Sequence, residues 1–236
     1  MSTLIIIPAY NEEGSIHSVI HAIKRTHPEV DIVVINDGSR DRTVQIAEAT
    51  GLAHVITMPV NVGIGGAMQT GYLYALRHGY DIAVQMDADG QHDPEYLAPL
   101  LRGIESGEAD CMIGSRFVEK TEYRSSLSRR IGILFFSWLI SISTKKRFTD
   151  PTSGFRAANR QVIEVFSNYY PDDYPEVEAI VLLERLGFNV KEASVLMHSR
   201  ETGMSSITPI KSVYYMLKVS LSVLMTLLRT RRRAKA

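Results

Sequence analysis

Cysteine is nearly absent. Cys111 stands alone among 236 residues, so no internal disulfide can form and a disulfide-built scaffold is excluded; a reducing compartment is expected. Long apolar runs are missing too: the stretch at 131–142 has 12 residues, whereas crossing a bilayer takes about 20. Met1-Ser2-Thr3 has no basic segment, and the apolar run from Leu4 to Ile7 is far too short for a signal peptide, so a chain without a leader is expected. Neither sign of charge is in excess, with 26 basic and 26 acidic residues. Hydrophobic residues at 45% and charged residues at 22% are close to globular averages, which excludes collagenous and disordered classes.

The neutral total hides a polar layout. Arg229, Arg231, Arg232, Arg233 and Lys235 put five positive charges at the C-terminus, leaving 21 basic against 26 acidic residues in the body. A body of about −5 has no basic stripe for tracking phosphates, so no nucleic-acid partner is expected.

Short β-branched runs alternate with amphipathic stretches in the first half, the pattern of βαβ units in a parallel sheet. Strands are predicted at 3–8, 31–35, 54–57 and 82–86, with helices at 12–25, 41–50 and 65–78. The run Leu4-Ile5-Ile6-Ile7 is continuously apolar, as in a central strand covered on both faces. The second half is less regular. Helices are predicted at 94–106, 128–144, 159–168, 176–186 and 206–228, and strands at 110–114 and 189–197.

In an open parallel sheet, ligands bind beyond the carboxyl ends of the strands. Polar clusters follow three predicted strands: Pro8-Ala9-Tyr10-Asn11-Glu12-Glu13, Asn36-Asp37-Gly38-Ser39 and Asp87-Ala88-Asp89-Gly90-Gln91-His92. In the last, acidic residues at i and i+2 repel unless a cation lies between them. A helix cap for the segment starting at Pro94 is the structural alternative, which Asp93 alone could supply. The glycine-rich run at 61–66 is not a dinucleotide fingerprint, because the third glycine of that pattern falls at Met68 and the run follows the third strand.

These clusters, with Asn61-x-Gly63, Gly114-Ser115-Arg116, Asp150-x-x-Ser153-Gly154-Phe155-Arg156 and Arg200 ahead of Gly203-x-Ser205, resemble the inverting glycosyltransferases of family two. Within that family they resemble in particular the branch holding dolichyl-phosphate mannose synthase and bacterial polyprenyl-phosphate sugar synthases. The resemblance spans residues 4–206. It implies an α/β glycosyltransferase A-type fold, a mostly parallel sheet flanked by helices, and metal-dependent transfer from a nucleoside diphosphate sugar to a polyprenyl phosphate or, alternatively, to a hydroxyl of a glycan or lipid-linked sugar. A nucleotide-sugar binding protein without catalysis is the third reading.

Carried over to this chain, the resemblance places Pro8, Tyr10, Glu12, Asp37, Gly63 and Asp87 around the donor nucleotide. It makes Asp87, Asp89 and Gln91 oxygen ligands of Mg²⁺ or Mn²⁺, and it puts Arg200 on the donor diphosphate and Arg116 near the acceptor phosphate. Asp89 and Asp150 join those two arginines as catalytic candidates. Asp150 is the general base if the acceptor is a hydroxyl. A lipid phosphate is already largely a dianion at neutral pH, and Asp150 then orients an arginine or the metal. Arg156 is expected either to join Arg116 and Arg200 on phosphate oxygens or instead to support its loop, and Glu176 and Glu178 to cap the helix they open, with a lesser prospect of touching the acceptor.

Residues 1–206 are read as the catalytic domain and 207–236 as an amphipathic helix with a basic tail. The 131–142 segment, with Trp138 and flanking bases, and the C-terminal helix both suit the interface of an anionic membrane, the alternative for each being a helix packed on the core or on another subunit; a small membrane protein partner is a further route to a lipid. The expected location is peripheral, at the cytoplasmic face of the membrane.

Overall fold

The computed structural model describes residues 1–118, 127–172, 175–197 and 209–229. Seven strands form one sheet: β1 (Thr3–Ala9), β2 (Asp31–Asn36), β3 (His54–Thr57), β4 (Ile82–Gln85), β5 (Cys111–Ser115), β6 (Arg156–Asn159) and β7 (Val190–Ser194), in the order β3-β2-β1-β4-β6-β5-β7. All pairings are parallel except those of β6, which runs antiparallel between β4 and β5. The helices are α1 (Ile16–Thr26), α2 (Thr43–Ala49), α3 (Gly63–Arg77), α4 (Leu97–Glu105), α5 (Leu127–Thr144), α6 (Arg160–Asn168), α7 (Pro175–Leu186) and α8 (Pro209–Arg229).

β1 is the central strand that its composition predicts. Leu4 and Ile6 pack with Met68, Tyr72, Phe166 and Ile180 on one face; Ile5 and Ile7 pack with Ile16, Ile20, Leu97 and Leu100 on the other. Side chains alternate across a strand, so four consecutive apolar residues are needed where both faces are covered.

Three differences from the sequence reading have local causes. α1 starts at Ile16 rather than residue 12, because the Glu12 amide donates to Thr43 Oγ1 (2.8 Å), drawing residues 12–15 into a turn beside the second strand's loop. The segment from Pro94 opens as a 3₁₀ turn over Pro94–Tyr96, capped by Asp93, whose Oδ1 accepts from the Glu95 amide (2.9 Å). β6 lies where no strand was expected: Arg-Ala-Ala-Asn has no β-branched residue and owes its extended form to β4 and β5 on either side.

α8 packs against α5 and α7. Val219, Val223 and Thr226 face inward and are buried, whereas Leu217, Leu221, Leu224 and Leu228 face outward. Glu178 of α7 is buried in this contact, accepting from Thr226 Oγ1 (2.6 Å), Tyr169 Oη (3.0 Å) and the Ser222 hydroxyl. It therefore joins α7 to α8 and does not serve as a helix cap.

Candidate active site

The carboxyl ends of β1, β2 and β4 open onto a cleft of about 270 Å³. Pro8, Ala9, Tyr10 and Glu12 line it after β1, Asp37 after β2, and Asp87, Ala88 and Asp89 after β4. Ile64 and Ala67 of α3 and Glu176 of α7 complete the lining. The three strand ends meet because β1 pairs in parallel with both β2 and β4, with Ala9 opposite Asn36 and Ile6 opposite Gln85.

Side chains knit the first two loops together. Asn11, at φ 56, accepts at Oδ1 from the Arg40 amide (2.9 Å) and donates its own amide to Ser39 Oγ (3.0 Å). Asn36 Oδ1 accepts from the Ser39 amide (3.1 Å), and Gly38 turns the chain at φ +72, where a Cβ would lie 2.9 Å from the Asn61 nitrogen. Asp37 accepts from the Val62 amide at Oδ1 (2.7 Å) and the Gly63 amide at Oδ2 (3.0 Å), tying the glycine-rich loop to the cleft. The Gly65 amide goes to Asp172 O (3.1 Å). These amides at the start of α3 are thus engaged within the protein. Tyr10 is 46% exposed and so is not a core residue; Glu12 accepts from Ser15 Oγ (2.9 Å).

Asp87 keeps a partly open side chain, whereas Asp89 is buried and accepts the Gln91 amide at Oδ1 (3.0 Å). Because Asp93 caps the next segment, helix capping does not account for this pair. Gln91 contributes that amide to Asp89 and does not line the cleft. His92 is buried against the Phe155 ring, with centroids 5.0 Å apart. Its Nδ1 accepts from the Asp87 amide (3.0 Å), so a neutral ring carries its proton on Nε2, 3.6 Å from Asp87 Oδ2. Among the described residues no group of three His, Cys, Asp or Glu side chains is arranged to hold a metal. What Asp87 and Asp89 offer is a pair of carboxylates, a donor set suited to a hard dication whose other positions would be filled by ligand oxygens and water.

Arg116 and Asp150 lie together but do not line the cleft. Both are buried and form a two-pronged ion pair, and Glu192 accepts from the Thr149 (2.8 Å) and Asp150 (2.7 Å) amides to hold that segment. Arg156 is buried as well and supports its own loop by donating to Ser153 O (2.8 Å) and Pro151 O (3.1 Å). Arg200 lies outside the described residues.

Glu176 is the cleft residue that the sequence assigned chiefly to capping. Burial pushes its carboxyl pKa up, against the opposing pull of the Arg156 charge. No local motif marks it as facing a ligand, since α7 brings it to the cleft only through tertiary packing.

Residues 4–166 match the family model for glycosyl transferase family 2. The polyprenol monophosphomannose synthase of Mycolicibacterium smegmatis is 34% identical over 219 residues, covering 87% of this chain and 81% of that one. The undecaprenyl-phosphate mannosyltransferase of Micrococcus luteus is 31% identical over 219 residues, covering 88% of each. Among solved structures, glucosyl-3-phosphoglycerate synthase from Mycobacterium tuberculosis, in complex with Mn²⁺, UDP and glucosyl-3-phosphoglycerate, superposes with a TM-score of 0.72 at 23% identity, covering 100% of this chain and 81% of that one.

Proposed function

The chain belongs to glycosyl transferase family 2 and has the glycosyltransferase A-type fold, and on that footing we propose that it transfers a hexosyl group from a nucleoside diphosphate sugar to a polyprenyl phosphate, with inversion, at the cytoplasmic face of a membrane. The observation that carries this reading is the meeting of Glu12, Asp37, Asp87 and Asp89, from three neighbouring strand ends, around one cleft.

In this reading Pro8, Tyr10, Glu12 and Asp37 receive the nucleoside. The carboxylates accept from base N–H and ribose hydroxyls, and Asp37 keeps Gly63 and its loop beside them. Asp87 and Asp89 hold Mg²⁺ or Mn²⁺ together with the diphosphate, and Gln91 steadies Asp89 through its amide. A dication held there would supply positive charge against the negative charge that develops on the departing nucleoside diphosphate. His92 fixes the backbone from which Asp87 projects. Arg200 is assigned to the donor diphosphate.

A phosphate acceptor needs no general base, because its second pKa lies near 6. The pairing of Asp150 with Arg116 supports this choice: the carboxylate is occupied by a guanidinium, and the pair serves to position the segments that receive the acceptor.

Two neighbouring helices support membrane docking. α5 leaves Leu134, Trp138 and Ile142 exposed, and α8 leaves Leu217, Leu221, Leu224 and Leu228 exposed, each series at helical spacing. Lys145, Arg147 and Arg229 are exposed at the ends of these helices, and the basic tail follows. An apolar stripe with basic flanks fits an anionic bilayer surface. No described helix is long and apolar enough to cross a membrane.

The test is direct. The purified chain is incubated with Mg²⁺ or Mn²⁺, a short polyprenyl phosphate and each of a panel of UDP-, GDP- and dTDP-sugars, and products are identified by mass spectrometry. A hexosyl phosphoprenol from one donor is expected. Absence of any such product, or transfer only to a glycan hydroxyl, overturns the acceptor assignment.

A further inference from the structure

We infer that Glu176 is the residue of this cleft that receives the hydroxyls of the transferred sugar and so selects among hexoses. The inference rests on the nucleotide-sugar reading above and adds a specificity residue to it.

The other carboxylates of the cleft project from strand ends, where the nucleoside and the dication account for them. Glu176 enters from the first turn of α7, close enough to Asp87 to feel its charge. Burial raises its carboxyl pKa, and the charge of Arg156, whose guanidinium donates to two carbonyl oxygens, opposes that rise. Among the described residues, the only hydrogen-bond donor to this carboxylate is its own backbone amide. A half-buried carboxylate with so few donors calls for a ligand that brings O–H groups and no negative charge. The ring hydroxyls of a hexose meet the requirement, since one carboxylate accepts from two neighbouring hydroxyls at once. A site built to accept a hydroxyl strongly disfavours an isomer that directs it elsewhere, because the carboxylate is then left unpaired.

Calorimetric titration separates this role from nucleotide binding. UDP, GDP and dTDP, and the matching nucleotide sugars in gluco, galacto and manno forms, are titrated with Mg²⁺ into the full chain and into Glu176→Gln, Glu176→Asp and Glu176→Ala. Affinity for the unglycosylated nucleotide is expected to stay within about twofold in all variants. Affinity for the preferred nucleotide sugar falls by about tenfold or more in Glu176→Ala, corresponding to loss of one charged hydrogen bond, with partial recovery in Glu176→Asp and a flattened preference among epimers. An unchanged nucleotide-sugar affinity in Glu176→Ala, or an equal loss for bare nucleotide and nucleotide sugar, overturns the inference while leaving the proposed function standing. Failure of the unsubstituted chain to bind any of these nucleotides removes the proposed function itself, and the inference with it.

Discussion

Asp150 and Arg116 face each other with Nε 2.5 Å from Oδ2 and Nη2 2.7 Å from Oδ1, and Oδ2 also accepts the Arg116 amide at 3.2 Å. Asp150 is fully buried and Arg116 is 2% exposed. Thr152 Oγ1 adds a bond to Oδ1 (3.3 Å), so both carboxylate oxygens are satisfied by the protein. A general base needs a lone pair aimed at the incoming hydroxyl, and here the carboxylate instead neutralises a buried cation.

Replacing Asp150 with Asn therefore breaks a buried two-pronged ion pair to Arg116. Loss of about 3–5 kcal/mol of stability is expected, as for other broken buried pairs, read as a drop in urea midpoint. The residual transfer activity should keep the pH dependence of the parent enzyme. Disappearance of an acidic limb in the pH-rate profile of Asp150→Asn, with stability intact, would restore Asp150 as the base.

Asp37 is expected to act through the loop it holds as much as through the ligand. In Asp37→Asn, an NH₂ group replaces one of the oxygens that accept from Val62 and Gly63, setting donor against donor. Hydrogen bonds to a charged group contribute about 1.5–3 kcal/mol, so nucleoside diphosphate affinity should fall by about tenfold or more. Amide exchange at Val62 and Gly63 should quicken in the ligand-free chain. Unchanged exchange at those two amides would mean that the loop is held by something else.

The strand-end clusters were legible because their placement is local: an apolar run, then a turn that its own side chains define, as Asn36 does for Ser39. Features set by distant partners were not. α1 starts late because of Thr43, 31 residues away from Glu12, and β6 is a strand because of β4 and β5. The periodicity of α8 identified its leucine face but not the direction it takes. Glu178 settles that, since its bonds to Ser222 and Thr226 turn the opposite face inward. Glu176 carries no signal in its own neighbourhood, which reads equally well as the acidic first turn of a helix.

Cys111 has a pH signature. Its side chain is buried in the core, and burial raises the thiol pKa from an ordinary 9.0 to about 11. A raised folded-state value means that the neutral thiol is favoured in the fold. Its contribution is full below the unfolded value, declines as pH rises through the interval from 9 to 11, and is lost above it. Stability should thus fall with alkali by up to roughly 1.4 kcal/mol per pH unit from this group, and Cys111→Ala should show a shallower decline in urea midpoint over the same interval. Thiol reagents at pH 8 should label the chain only as it unfolds. Rapid labelling of the folded protein at that pH would contradict the burial.

The exposed apolar series on α5 and α8 gives the membrane reading its sharpest consequence. Trp138 and Leu221 are 58% and 61% exposed, so replacing either with Glu removes little from the core. Thermal stability and nucleotide binding should therefore hold. Burying such a side chain in a bilayer interface contributes up to about 1.5–3 kcal/mol, so each substitution should lower cosedimentation with vesicles containing anionic lipid by about tenfold or more. Rising salt should weaken binding of the parent chain, as the flanking bases require. If Trp138→Glu and Leu221→Glu instead convert a dimer to a monomer without altering vesicle binding, the stripes are covered by a second copy of the chain and the bilayer assignment falls.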